Sequence, residues 1–165
     1  MRIKAYIDTN IFIYAIIHHP THGKDCARIL GDLQNGVYEG YGSLMVAIEL
    51  LGSLSKIDPK VARRAVELYF ALNIRLLPLN EEVLTLASLL NEVLNLRYDA
   101  IHAAVMMLNE VPIIITNDLD DWIKLSRNYA QVLEEVRNRG FNIKLSKLNV
   151  VSPATYSLSL KGSRS

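Results

Sequence analysis

Short apolar runs alternate along this chain with segments in which apolar residues recur every three or four positions. The runs predict β-strands, and the periodic segments predict amphipathic helices. Strands are predicted near residues 3–7, 37–42, 74–78, 111–116 and 147–151, and helices near 23–34, 44–54, 59–69, 80–94, 98–109 and 128–139. Strands that alternate with helices favour parallel pairing with helices on both faces. The pattern therefore predicts a three-layer α/β/α fold around a central parallel sheet.

Capping residues mark several of these helix boundaries. Ser43 and Asn80 suit the N-cap position, because a short side-chain oxygen can accept a hydrogen bond from a free backbone N–H. Pro59 follows Asp58 and suits the first helical position. We expect residues 1–156 to form one domain and the polar residues 157–165 to form a frayed tail.

Composition narrows the class of protein. The 165 residues suit one domain, and a formal net charge of +1 gives the whole molecule no attraction for nucleic acid, so such a contact needs a local basic patch. The single cysteine, Cys26, excludes an internal disulfide and fits a reducing compartment. The apolar runs are too short to span a bilayer. We expect a soluble cytoplasmic protein with no membrane contact.

Acidic residues follow two of the predicted strands. Asp8 comes directly after the first strand, and Asp118 follows the isoleucine-rich strand at 111–116. Ligands of open parallel sheets bind at the carboxyl ends of the strands, so both carboxylates are expected in one crevice. Asp99 falls in the first turn of a predicted helix, where the helix dipole favours a negative charge.

Glu49 extends this set of acids. It lies in a predicted helix among apolar neighbours, and a buried carboxylate is costly unless it is paired or binds a cation. Four converging carboxylates would repel one another, and a divalent cation would remove that penalty. Because the candidate ligands are hard oxygens, Mg²⁺ or Mn²⁺ is favoured over Zn²⁺.

Four short motifs resemble those of the PIN-domain family. They are Asp8-Thr9-Asn10, Ser43 with Glu49-Leu50, the run from Tyr98 to Ala104 containing Asp99 and His102, and Thr116-Asn117-Asp118. Each motif is weak alone, but their order and spacing fit across residues 3–123. The segment at 150–153 resembles the family's closing strand.

The resemblance implies a function and a set of site residues. Asp8, Glu49, Asp99 and Asp118 would bind one or two Mg²⁺ or Mn²⁺ ions, and Asn10 and Thr116 would hold Asp8 and its neighbours by hydrogen bonds. The implied reaction is hydrolysis of RNA phosphodiester bonds that leaves a 5′-phosphate. Small members of the family are often VapC-like toxins, which are neutralised by an antitoxin protein and are often homodimers. The segment at 120–147 is longer than expected for a minimal toxin.

Further residues have both a functional and a structural interpretation. Asp121, like Asp120, is a candidate outer ligand, although a solvated turn or a helix cap near Trp122 is favoured. His102 shares a helix face with Asp99, and we expect a hydrogen-bonded, partly buried side chain. The histidines at 18, 19 and 22 are a weak candidate for a zinc site. A candidate RNA-binding patch consists of Lys56, Lys60, Arg63 and Arg64, although such charges are more often a solvated helix face.

Two other functions stay open on the sequence. A PIN-like fold could bind RNA or protein without cleaving it, although all four acids are present. A phosphatase could use Asp8 as a nucleophile, but such sites usually have a second aspartate two residues later, where this chain has Asn10. A P-loop sequence is absent from the chain, which excludes that class of phosphate site.

Overall fold

A computed structural model describes residues 2–160 of the chain. Its strands are β1 (Lys4–Ile7), β2 (Glu39–Gly42), β3 (Ile74–Leu76), β4 (Ile113–Ile115) and β5 (Asn149–Val151). Its helices are α1 (Thr9–Ile16), α2 (Gly23–Gln34), α3 (Leu44–Ser55), α4 (Pro59–Ala71), α5 (Glu81–Leu94), α6 (Asp99–Leu108), α7 (Leu119–Arg127), α8 (Tyr129–Asn138) and α9 (Tyr156–Leu160). Strands and helices alternate as the pattern predicts.

The described strands form one parallel sheet in the order β3-β2-β1-β4-β5. Tyr6 of β1 lies opposite Tyr41 of β2 on one side and Ile114 of β4 on the other. The chain runs outward from β1 to β2 and β3, and then returns to place β4 and β5 on the other side of β1. This reversal leaves a crevice at the carboxyl ends of β1 and β4, which is the usual ligand position in such sheets.

Helices cover both faces of the sheet. Contacts join α1 to α2 and α3, and α3 to α4, whereas α5 packs on α6 and α8, and α7 packs on α8. The chain reverses direction across the sheet after β3, and the right-handed crossovers that are the rule for parallel strands then place these two groups on opposite faces. The predicted three-layer α/β/α fold is confirmed.

The two central strands lie within the hydrophobic core. Tyr6, Ile7, Ile114 and Ile115 have no exposed side-chain surface. A strand covered on both faces should be apolar at consecutive positions, as these strands are. Burial of each large aliphatic side chain contributes about 1.5–3 kcal/mol. Cys26 is also buried, as expected from its position on the apolar face of α2.

Predicted capping contacts are present at three helix starts. The side chains of Ser43, Asp58 and Asn80 accept hydrogen bonds from the backbone N–H groups of Met45, Lys60 and Val83, at 3.2, 2.8 and 3.0 Å. Gly42 then connects β2 to the cap of α3. A Cβ at Gly42 would lie 2.1 Å from the Tyr69 hydroxyl, which donates to the Ser43 carbonyl, so the close packing of α4 requires a glycine here.

The sequence prediction differs from the structure at several elements. Helix α1 begins directly after Asp8 and was not predicted, because its almost continuous apolar run has no clear helical period. Strands β3, β4 and β5 are shorter than their predicted ranges, and α7 begins at Leu119 instead of near Trp122. Residues 157–160 of the expected tail lie in α9, and residues 161–165 lie outside the described part. Across residues 2–160, every helix is too short or too polar to cross a membrane.

Candidate active site

Asp8 occupies the crevice at the end of β1 and is the N-cap of α1. Its Oδ1 accepts a hydrogen bond from the Thr9 backbone N–H at 2.8 Å. Its Oδ2 accepts from Asn10 Nδ2 at 3.2 Å and from Thr116 Oγ1 at 2.7 Å. The residue is only 4% exposed. Three donors therefore hold a buried carboxylate in one orientation, which offsets the cost of its desolvation.

Thr116 and Asn10 connect the ends of β1 and β4. Thr116 Oγ1 accepts from the Asp118 backbone N–H at 3.0 Å and from Asn10 Nδ2 at 3.1 Å. Asn10 Oδ1 accepts from the Asn117 backbone N–H at 2.9 Å. The contacts from Asn10 and Thr116 to Asp8 that the family resemblance implies are present in the structure. They place Asp8 and Asp118 on either side of one buried hydroxyl.

Three further aspartates converge on the other side of the crevice. Each of Asp99, Asp118 and Asp121 offers a carboxylate oxygen that lies within 4.8 Å of the other two. Asp99 begins α6, and Asp118 and Asp121 lie at the start of α7. Asp118 occupies the N-cap position but makes no capping bond with its side chain. Its carboxylate thus faces the other acids instead of its own helix.

Burial and repulsion between like charges raise the pKa values of two of these acids, Asp99 and Asp118. Burial, followed by the negative charge of Asp8, raises the pKa of Asp99 from its ordinary 3.8 to about 8, although His102 opposes this shift. Burial, followed by the charges of Asp121 and Asp8, also raises the pKa of Asp118. The helix dipole was expected to favour an ionised Asp99. In the protein without a cation, burial and like charges have the larger effect, as expected for converging carboxylates that repel one another.

Glu49 reaches the crevice from α3 and contacts a buried histidine. Its Oε1 accepts hydrogen bonds from Thr9 Oγ1, at 3.1 Å, and from His102 Nε2. His102 Nδ1 lies 2.7 Å from the Tyr6 hydroxyl, which lies 2.8 Å from Ser43 Oγ. The last three contacts form a continuous chain from Ser43 in the core to the Glu49 carboxylate at the crevice.

The direction of this chain follows from the chemistry of Glu49. An ionised carboxylate only accepts hydrogen bonds, so Nε2 of His102 carries a proton. When the imidazole is neutral, Nδ1 is therefore an acceptor and the Tyr6 hydroxyl donates to it. Burial alone would lower the pKa of His102, but the bond to Glu49 and the charges of Asp8, Glu49 and Asp99 raise it above its ordinary value.

The structure changes the interpretation of three predicted residues. Glu49 is less buried than its apolar neighbours suggest, since 26% of its side-chain surface is exposed and the adjacent Ile48 is 55% exposed. His102 is fully buried, where partial burial was expected. Asp121 lies among the acids as closely as Asp118 does, which distinguishes it from the exposed Asp120. The signal for Asp121 was its position one helical turn after Asp118.

The remaining candidates lie away from these contacts. Lys56, Lys60, Arg63 and Arg64 are exposed around the α3–α4 connection, and Arg63 pairs with Glu67 at 3.3 Å. His19 and His22 stack near Tyr14, and His19 Nδ1 accepts two backbone hydrogen bonds. Within residues 2–160, the acids at 99, 118 and 121 form the group suited to a metal ion, and these histidines do not.

The chain belongs to the PIN-domain family, whose sequence model matches residues 5–152. PIN domains are generally nucleases that use divalent metal ions. The family predicted from the four motifs is therefore confirmed. A comparison with curated proteins finds no significant sequence match.

Solved structures with the same fold come from toxin–antitoxin complexes. A chain of VapBC2 from Rickettsia felis, bound to a DNA fragment from its promoter, is 17% identical with a TM-score of 0.59, over 90% of this chain and 97% of that one. A chain of DNA-bound VapBC from Salmonella typhimurium is 14% identical with a TM-score of 0.57, over 92% and 98%. A chain of VapBC-1 from nontypeable Haemophilus influenzae is 18% identical with a TM-score of 0.53, over 91% and 98%.

Proposed function

We propose that this chain is a metal-dependent ribonuclease that hydrolyses RNA phosphodiester bonds. The observation that carries the proposal is the convergence of Asp99, Asp118 and Asp121 within 4.8 Å, at the crevice where Asp8 is held by three donors. Membership of a family of nucleases supports the class of reaction. A cluster of like charges that raises the pKa values of Asp99 and Asp118 does not stabilise the fold by itself, which favours a role in binding positive charge.

The donor set fits a hard divalent cation. All the candidate ligands are carboxylate oxygens, and the group contains no thiolate or imidazole, so Mg²⁺ or Mn²⁺ suits it better than Zn²⁺. Asp8, Glu49, Asp99 and Asp118 would hold one or two ions, and Asp121 lies close enough to take part. Such a cation polarises a phosphoryl oxygen, lowers the pKa of a bound water and neutralises charge in an in-line displacement.

The protein's own groups would prepare this site. Thr9, Asn10 and Thr116 hold Asp8 by hydrogen bonds, and His102 orients Glu49 while leaving its second carboxylate oxygen available. Removal of partners that orient ligands in this way typically lowers metal affinity or activity about 10- to 100-fold. The crevice thereby combines rigidly held ligands with a negative charge that a divalent cation would neutralise.

An assay on RNA tests the proposal. The purified protein is incubated with a mixed RNA pool and Mg²⁺ or Mn²⁺, with and without a chelator, alongside Asp8→Asn, Asp99→Asn and the matched control Asp120→Asn. We expect cleavage by the wild type and by Asp120→Asn, and its loss in the other two variants and with chelator. Cleavage that survives chelation and both substitutions would refute a metal-dependent site. RNA binding without cleavage would instead support a catalytically silent PIN-like module.

We also propose that the ribonuclease is the toxin of a VapBC-type pair, acting on cytoplasmic RNA and forming a homodimer. The solved structures with this fold belong to toxin–antitoxin complexes, which supports a protein partner. Leu44, Ile48 and Leu51 of α3 are 47%, 55% and 53% exposed, at a spacing that puts them on one helix face. A face of this kind is typical of a protein interface.

Light scattering and co-purification test these partners. The wild type should have the mass of a dimer, and Ile48→Glu should lower it to that of a monomer while leaving the circular dichroism spectrum unchanged. A protein encoded beside this chain should co-purify with it and inhibit its ribonuclease activity. A monomeric wild type would refute the homodimer, and full activity with the neighbouring protein bound would refute the antitoxin assignment.

A further inference from the structure

A cleft of about 660 Å³ opens directly beside the acidic cluster. One end of the cleft is formed by Asp99, Asp118 and Asp121, and its wall includes Leu84 and Ala87 of α5 together with Leu96. The volume lies within the range of about 300–1,000 Å³ that is typical of small-molecule sites. The cleft therefore combines an apolar wall with an end suited to a cation. These two features complement a nucleotide, whose base packs on apolar surface and whose phosphate binds a divalent cation.

Tyr98 provides an exposed aromatic ring in this cleft. It lines the cleft, is the residue before Asp99, and is 68% exposed. Among residues 2–160, no aromatic ring stacks on Tyr98, and no group forms a hydrogen bond with its hydroxyl. Packing within the chain thus gives no reason for a large aromatic side chain here. Aromatic side chains beside RNA sites stack on unpaired bases, which contributes about 1–3 kcal/mol per base.

Arg97 also lines this cleft, and its backbone has an unfavourable conformation. Its φ is +53°, in the left-handed region that non-glycine residues rarely adopt. A 2.6 Å hydrogen bond from its N–H to Asn91 Oδ1 holds this conformation, and the buried Leu96 anchors the loop beside it. Its guanidinium has no carboxylate within 4 Å among residues 2–160. Backbone strain of this kind, of about 1–3 kcal/mol, is found where a functional group must be presented.

We propose that this cleft binds one unpaired nucleotide of the RNA, next to the phosphate held at the acids. The base stacks on Tyr98 against the apolar wall, and Arg97 contacts a phosphate of the same strand. The assignment rests on the proposed nuclease function. Among the described residues, Arg97 is the one cation that lines the cleft, and it forms no ion pair with the three carboxylates there, so it is available to a phosphate.

Binding of a nucleotide that cannot be cleaved tests the assignment. The wild type, Tyr98→Ala, Tyr98→Phe and Arg97→Ala are titrated with 5′-adenylate and 5′-uridylate, both with Mg²⁺ and without metal, by nuclear magnetic resonance. Phe70→Ala is the matched control, since Phe70 is an aromatic residue of α4 that is 50% exposed and does not line the cleft. A separate titration measures the affinity of each variant for Mn²⁺ alone.

We expect Tyr98→Ala to weaken nucleotide binding about tenfold, as the loss of one stacked base predicts. Tyr98→Phe and Phe70→Ala should bind as the wild type does, and Arg97→Ala should weaken binding about fivefold with a smaller salt dependence. The affinity for Mn²⁺ should not change in the Tyr98 and Phe70 variants, and it should not fall in Arg97→Ala. In the RNA assay, Tyr98→Ala should raise KM with little change in kcat.

The outcomes separate this assignment from the proposed function. Unchanged nucleotide binding in both Tyr98→Ala and Arg97→Ala would overturn the assignment, even if the wild type cleaves RNA. A wild type that binds nucleotides through Tyr98 but never cleaves RNA would refute the ribonuclease and retain the binding site. A wild type without affinity for Mn²⁺ would refute the metal-dependent reaction, and the titration without metal would still decide the role of Tyr98.

Discussion

The two sides of the acidic crevice differ in how their carboxylates are supported. Asp8 accepts three hydrogen bonds and is almost completely buried. Asp99 and Asp118 instead face each other and Asp121, and burial and like charge raise the pKa of both. The fold thus completes the environment of Asp8 by itself, whereas the other side remains unfavourable until positive charge is bound. One side provides rigidity, and the other provides attraction for a cation.

Substitution of the two sides separately should give the largest effects. Asp8→Asn and Asp99→Asn should each reduce ribonuclease activity by at least about 100-fold, since both remove a carboxylate from the proposed metal site. Without metal, their stabilities should change in opposite directions. Asp8→Asn should lose about 1–3 kcal/mol, because an amide NH₂ would face one of the three donors. Asp99→Asn should gain about 1 kcal/mol near neutral pH, because the folded protein must protonate Asp99 among like charges, whereas an amide is always neutral.

Urea denaturation with a chelator measures these stabilities, and the RNA assay measures the activities. Asp120→Asn provides the matched control, because Asp120 is an exposed acid next to the cluster. Equal destabilisation by Asp8→Asn and Asp99→Asn would remove the distinction between the two sides.

Thr116 joins the two sides, so its hydroxyl should matter to both. Thr116→Val keeps the shape but removes a bond to Asp8, one to Asn10 and one to the Asp118 N–H. We expect a loss of about 2–3 kcal/mol in the free energy of unfolding and about tenfold in kcat. Thr116→Ser retains the oxygen and should retain most of the activity. Equal activity of the two variants would show that the hydroxyl does not position the acids.

The raised pKa of Asp99 predicts how stability depends on pH. Between about pH 4 and pH 8 the folded state binds a proton at Asp99 that the unfolded state releases, so stability falls as the pH rises through this range. After discounting for solvent screening, the expected loss is about 1–3 kcal/mol. Saturating Mn²⁺ should abolish most of this slope, because the cation replaces the proton. Urea denaturation at four pH values measures it, and Asp99→Asn should show a smaller slope.

The smallest effect is expected for Tyr6, which lies two contacts away from Glu49. Tyr6→Phe leaves His102 Nδ1 without its partner, which should cost about 1 kcal/mol of stability and reduce the affinity for Mn²⁺ a few-fold. Tyr38→Phe is the matched control, because it removes a buried hydroxyl bonded to the Ile29 carbonyl, in a different part of the core. Both variants should lose similar stability. A loss of Mn²⁺ affinity in both would show that the effect is only structural.

Residues at the ends of strands could be identified from the sequence with some precision. Asp8 and Asp118 follow apolar runs, and the carboxyl ends of neighbouring parallel strands lie at one edge. The chain of contacts from Ser43 through Tyr6 and His102 to Glu49 was not predictable. Tyr6 and His102 are 96 positions apart, and their contact depends on how α6 packs against β1. Asp121 lies one helical turn after Asp118, which was a local signal. The sequence could not show whether Asp121 is a solvated acid or a metal ligand, because that depends on the carboxylates that pack around it.

The sequence by itself determined the alternation of strands and helices, the caps at Ser43, Asp58 and Asn80, and the family. These features depend on apolar periodicity, on hydrogen bonds between near neighbours and on short ordered motifs, all of which are local. Only the tertiary structure decided the state of the acids, the partner of Glu49, and the cleft that Tyr98 and Arg97 line. Burial and the fields of distant charges set these properties, and both arise only when segments far apart in the chain pack together.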